Sequence, residues 1–184
     1  MIDIGPLPEV VNPDRKAACE RNFQLFCESY FPETYSLAWS PDHLKVIEKI
    51  ETAVLRGGLF ALALPRGSGK TTITESAALW SMLYGHREFV VLIGATESAA
   101  LELLDSLKTE LEVNERLAED FPEVCYPVAQ LEGIANRCAG QLYKGERTRI
   151  TWTSNEIVLP TVEGSRASGI IVRVAGITGR IRGM

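Results

Sequence analysis

The chain has 184 residues, 46% of them hydrophobic and 23% charged, with a formal net charge of −5. That length and balance suit one globular domain with its own core, and exclude a disordered or fibrous chain. The acidic balance argues against a dedicated basic nucleic-acid-binding module while leaving room for a local DNA-contacting patch.

Residues 1–12 are rich in proline and acidic groups and read as an extended N-terminal arm, leaving 13–184 as the domain. Asn12-Pro13-Asp14 is a helix start, because Asn caps well and Pro fits the first helical position. Phe23, Phe26, Cys27 and Tyr30 then recur at helical spacing until Phe31-Pro32. Ser40-Pro41-Asp42 repeats the start signal, Leu44, Ile47, Ile50 and Val54 give an apolar face, and Gly57-Gly58 ends the helix. Residues 59–64, Leu-Phe-Ala-Leu-Ala-Leu, are wholly apolar and predict a central strand buried on both faces. A helix is expected over 70–84 with Gly85 at its end, then a second buried strand over 88–93. Thr96 is placed to cap a helix carrying Leu101, Leu104, Leu107 and Leu111 on one side. Strand, loop, helix, strand and helix in that order predict an α/β domain with a mainly parallel sheet flanked by helices. Beyond it, a helix over 127–137 is expected, with strands over 149–153 and 156–159 joined at Ser154-Asn155, and another over 170–174.

The loop between the first expected strand and its helix carries the chemistry. Leu64-Pro65-Arg66-Gly67-Ser68-Gly69-Lys70-Thr71 matches the second half of the phosphate-binding pattern G-x-x-x-x-G-K-[ST], with Leu64 in place of the first Gly. Gly67 and Gly69 let the backbone curl so that successive N–H groups point inward at phosphate oxygens. The following helix adds the positive end of its dipole. Lys70 is the residue to reach the terminal phosphates, and the Thr71 hydroxyl the one to bind Mg²⁺. Residues Pro65 to Lys70, with Thr71 and Thr72, are therefore the candidate ATP·Mg²⁺ cradle. Arg66, four positions before Lys70, either touches the γ-phosphate, holds the loop shape or faces solvent. The four cysteines, Cys19, Cys27, Cys125 and Cys138, form no C-x-x-C pair, and with two histidines a zinc site is not expected. No apolar run approaches the roughly 18 residues that span a bilayer, and the N-terminus lacks a signal-peptide pattern. A cytoplasmic protein without membrane contact is expected.

With Arg66, Lys70 and the upstream helix in view, the chain resembles the ATPase domain of phage large terminase subunits. Members of that family commonly lack the first Gly of the loop and carry an Arg four before the Lys. They also place a short helix with a Pro and a polar residue, which contacts the adenine, before the first strand. Trp39-Ser40-Pro41-Asp42-His43 is similar to that segment, with His43 about where the family often has a Gln. Trp39 serves equally as a packing residue over the first helix. In Gly176-Ile177-Thr178-Gly179-Arg180-Ile181-Arg182-Gly183-Met184, Arg182 stands where the family has the Arg implicated in completing a neighbouring subunit's site, and Arg180 is a weaker candidate. Contact with solvent or the DNA backbone is the alternative for both. The resemblance covers roughly residues 12–184. It implies a P-loop NTPase domain of the RecA-like, additional-strand type. It further implies ATP hydrolysis that drives double-stranded DNA into a capsid, and as partners a small terminase subunit, the portal protein and a ring of its own copies.

A working ATPase of this kind needs an apolar strand ending in Asp-Glu, one acid for Mg²⁺ and one for water. Leu103-Leu104-Asp105-Ser106 and Leu117-Ala118-Glu119-Asp120 sit in helical patterns, and Val162-Glu163-Gly164 is too short. The P-loop domain is therefore expected to be incomplete at its C-terminal end, without that strand or a nuclease domain, and to turn over ATP weakly or not at all. A fragment of another P-loop nucleic-acid translocase such as a helicase, a small-molecule kinase, and a nucleotide-binding assembly module without hydrolysis are the competing readings.

Overall fold

The computed structural model describes residues 2–177, and Arg180 and Arg182 lie outside them. The described chain is a mixed α/β fold of seven α-helices, one 3-10 helix and two small sheets.

Side-chain caps set most helix starts. Asn12 accepts from the Arg15 N–H and opens α1 (Pro13–Cys19). Asn22 accepts from the Leu25 N–H and opens α2 (Phe23–Tyr30), so the single helix expected from Asn12 to Phe31 is two. A second capping Asn inside the run accounts for the break, because its carbonyl takes a backbone N–H at the start of the new helix. Ser40 caps α3 (Pro41–Arg56), which Gly57 ends at φ 90°. The buried face of α3 is Val46, Ile47 and Ile50, while Leu44 lies outside. Helix α4 (Lys70–Leu83) ends at left-handed Gly85 as expected. Thr96 caps α5 (Glu97–Val113), which buries Ala100, Leu104, Leu107 and Leu111. Asn114 caps α6 (Glu115–Asp120). Helix α7 (Pro122–Ala129) is followed by the 3-10 helix Ala135–Gly140, in place of one helix over 127–137. Pro122 fits the first helical position, so the helix starts five residues earlier than expected and takes Pro127 into its interior.

The sheets depart from the expected parallel arrangement. The arm forms β1 (Ile2–Asp3) and pairs parallel with β3 (Gln141–Tyr143), which pairs antiparallel with β4 (Glu146–Arg147). The larger sheet runs β2 (Phe89–Gly94), β7 (Ile171–Gly176), β6 (Glu156–Val158), β5 (Thr151–Trp152). Within this larger sheet only β2 and β7 are parallel, with Phe89 opposite Ile171 and Gly94 opposite Gly176. The pairs β5–β6 and β6–β7 are antiparallel, so the sheet is mixed. A short link at Ser154-Asn155 forces the first reversal, since parallel neighbours need a long crossover.

The largest difference concerns residues 59–64, which form no strand. Leu59 is fully exposed, and Phe60 and Leu62 are exposed as well. The second strand, β2, expected to be buried, is an edge of its sheet, with Phe89 and Ile93 facing out. An apolar run becomes a buried strand only when neighbours pair both of its edges, and no described strand takes that place beside 59–64.

The core lies between α4, α5 and the α1–α2 layer, centred on Trp80, Phe23, Phe26, Tyr30 and Phe121. Cys19, Cys27 and Cys125 are buried in it and Cys138 is half-buried, all unbridged, as packing thiols should be. Gly94 and Gly176 end the parallel pair against the start of α5. A Cβ on Gly94 would stand 2.5 Å from the Ala100 nitrogen, and one on Gly176 2.8 Å from the Glu97 nitrogen. Close packing of helix on sheet therefore fixes both positions.

Candidate phosphate-binding loop

Residues 65–69 turn from the exposed 59–63 segment and half-buried Leu64 into α4. Gly67 and Gly69 have φ of 78° and 71°, in the left-handed region that glycine enters without penalty. A Cβ at either would meet nothing within 4 Å, so the backbone conformation rather than crowding asks for glycine there. Gly69 is the cap of α4, and no side chain bonds the first-turn amides. The amides of Lys70, Thr71 and Thr72 therefore open this helix without the side-chain acceptor that caps α1, α2, α3, α5 and α6. They sit at the positive end of a 14-residue helix.

Four hydrogen bonds hold the loop. Ser68 Oγ donates to the Pro65 carbonyl at 2.8 Å. Lys70 Nζ folds back and donates to the carbonyls of Leu64 and Pro65, at 2.7 and 2.8 Å. Both of its partners are neutral backbone oxygens. His43 reaches from the first turn of α3 and its Nε2 donates to the Ser68 carbonyl at 3.0 Å. Arg66 and Thr71 are exposed at the loop mouth, and Thr72 is half-buried.

Trp39 stands behind His43, ring to ring at 6.0 Å and 78°. Its indole N–H donates to Glu28 at 2.6 Å, and its ring lies 5.0 Å from that of Tyr35. Tyr35 in turn shares a 2.8 Å hydrogen bond with Ser76 of α4. The segment 35–43 is thus fastened to α4 at one end and to the loop at the other. The structure brings Trp39, His43 and the loop together through the Trp39–His43 ring contact and the His43–Ser68 hydrogen bond.

A cavity of about 210 Å³ adjoins the loop, lined by Lys70, Thr71, Thr74, Glu75, Leu92 and Leu103. Ligand pockets usually span roughly 300–1,000 Å³, so it suits one end of a nucleotide. Glu75 escaped the sequence reading, although its i,i+4 spacing from Thr71 puts both on one face of α4. Burial pushes the Glu75 carboxyl above its ordinary range, a hydrogen bond from Ser106 opposes that, and Glu110 adds to it. A cavity of about 310 Å³ opens between Ile2, Ile4, Gln130, Arg137 and Gln141, far from the loop in sequence.

The sought Asp-Glu pair is absent from the described strand ends: β2 closes on Ile93-Gly94 and β7 on Ala175-Gly176. Asp105 lies in α5 and Asp120 in α6, as their helical setting implied, and Glu163 is in a turn. Among the described residues no cluster of three His, Cys, Asp or Glu suits a metal ion, and no helix is long and apolar enough to cross a membrane. A scan against protein-family models finds no matching family, and searches of curated proteins and of solved structures find no significant match.

Proposed function

We propose that residues 64–72 bind a nucleoside triphosphate with Mg²⁺, and that the chain is the ATP-binding portion of a DNA-packaging motor of the large-terminase kind. The observation that carries the nucleotide reading is the uncapped start of α4 behind two left-handed glycines, with Lys70 and Thr71 as its first residues. Curled amides, a helix dipole and one ammonium form a cradle complementary to a polyphosphate. In it Lys70 trades two carbonyl oxygens for phosphate oxygens, Thr71 offers its hydroxyl to Mg²⁺, and Arg66 adds a second cation at the mouth. Bound Mg²⁺ would supply charge neutralisation on the phosphates. The motor reading rests on the resemblance at Arg66, Lys70 and the Trp39–His43 segment. Its partners would be double-stranded DNA, a small terminase subunit, a portal ring and further copies of the chain, with Arg182 acting on a neighbour's site.

A second reading has its own support, a nucleotide-binding assembly module without hydrolysis. None of the described strands ends in the Asp-Glu pair that a hydrolase of this class needs. Thermal unfolding with and without ATPγS and Mg²⁺ tests binding. At about 100 times its Kd the ligand adds about 2.7 kcal/mol to the folded state, so the midpoint should rise in the wild type and stay fixed in Lys70→Ala. Phosphate release separates the two readings. Turnover within the roughly 1–100 per second of phosphoryl-transfer enzymes, lost in Lys70→Ala, would exclude the module.

A further inference from the structure

The imidazole of His43 has no nitrogen to spare. Its Nε2 faces the Ser68 carbonyl at 3.0 Å, and a carbonyl oxygen only accepts, so Nε2 carries the proton. Its Nδ1 lies 3.1 Å from Ser40 Oγ and, in the neutral ring, accepts the hydroxyl proton. The same Ser40 oxygen accepts the His43 backbone N–H at 3.3 Å, which completes the chain of bonds and fixes the tautomer. A neutral histidine offers one donor and one acceptor, and both are used inside the protein.

We infer that His43 is a positioning residue that braces the phosphate loop through Ser68 and does not read the nucleotide base. The inference rests on reading residues 64–72 as a phosphate loop. Ser68 lies between the two left-handed glycines, where the backbone has the most freedom to rearrange. A donor held by the first turn of α3 sets the direction of its carbonyl, and therefore of the Gly69 amide in the same peptide plane. Trp39 backs the ring edge to face, and the Tyr35–Ser76 bond ties the same segment to α4. The brace and the helix it serves are therefore tied through the same segment.

The inference separates from a base contact by ligand choice. ATP, GTP and inorganic tripolyphosphate, each with Mg²⁺, would be titrated into wild type, His43→Ala and His43→Gln, with an unfolding midpoint measured for each protein. Loss of the brace should weaken all three ligands by a similar factor. Roughly fivefold to tenfold is expected, the effect of one hydrogen bond. His43→Gln, whose amide can donate to Ser68, should recover part of the loss for tripolyphosphate as well as for the nucleotides. Weaker ATP binding with tripolyphosphate unchanged would overturn the inference in favour of a base contact. Unchanged binding of all three would overturn it outright, and so would losing all three only because His43→Ala has unfolded while folded His43→Gln shows no recovery. Failure of the wild type to bind any of them would instead remove the phosphate-loop reading, and the inference with it.

Discussion

Tyr30 donates its hydroxyl to Asp120 across 90 positions of sequence, at 2.7 Å and wholly buried. The same carboxylate takes the Arg15 Nε at 2.6 Å and the Asn12 backbone N–H at 3.1 Å. One fully buried acid thus gathers the start of α1, the end of α2 and the end of α6. A buried carboxylate is costly unless paired and hydrogen-bonded, and here the bonds come from two other elements, the start of α1 and the end of α2. Burial and this bond together push the Tyr30 phenol far above its ordinary range.

Removing the acid should therefore cost more than removing the phenol. Asp120→Ala is expected to destabilise the fold by about 3 kcal/mol, because it strands Arg15 and the Tyr30 hydroxyl. Tyr30→Phe should cost about 1 kcal/mol, plus the penalty for one unmet acceptor. Urea unfolding of both variants checks the order, and equal costs would contradict a hub at Asp120.

Leu59 makes the opposite prediction. It is completely exposed, so Leu59→Lys should change unfolding free energy by no more than about 0.5 kcal/mol. The substitution should reduce self-association, since an exposed apolar run is an association hazard. Sedimentation of wild type and variant at matched concentrations measures this. A loss of several kcal/mol would mean that 59–64 is buried after all.

His86 sets a pH dependence. Burial beside Trp80 and Tyr84 lowers its pKa below the ordinary 6.5, Arg166 and Arg21 push the same way, and the Glu20 carbonyl and carboxylate oppose them. The folded state therefore resists protonation more than the unfolded chain. The contribution is complete above pH 6.5 and is lost as pH falls through that value toward the lower folded pKa. Melts of wild type and His86→Gln should differ most at neutral pH, and the gap should shift against the wild type by pH 5. A pH-independent gap would contradict the assignment.

Local signals in the sequence carried much of this structure. Asn12, Ser40 and Thr96 cap the helices they were expected to cap, and Gly85 ends α4, because capping is settled within a few residues. Pairing between strands was not legible. Apolarity over 59–64 signals a segment fit for burial, but whether a neighbour pairs with it is a property of the whole sheet. The turn at Ser154-Asn155 was legible, but nothing in the sequence said that its two strands would join the sheet of β2 and β7. In the site, the glycine loop was legible from spacing, and His43 only from the family resemblance. The exclusion of a free imidazole nitrogen needed Ser40 and Ser68 in place, and Glu75 needed α4 to set it beside Thr71. Arg182 lies outside the described residues, so its expected action on a neighbour's site stays a proposal.

The central claim is that Lys70 and the uncapped start of α4 hold a triphosphate. Titration of a fluorescent ATP analogue with Mg²⁺ into wild type and Lys70→Ala tests it most directly. The account predicts saturable binding in the wild type that unlabelled ATP competes away, weakened roughly 10–100-fold in the variant, as the loss of charge-assisted hydrogen bonds implies. Equal binding by both proteins, or no saturable binding by either, would contradict it.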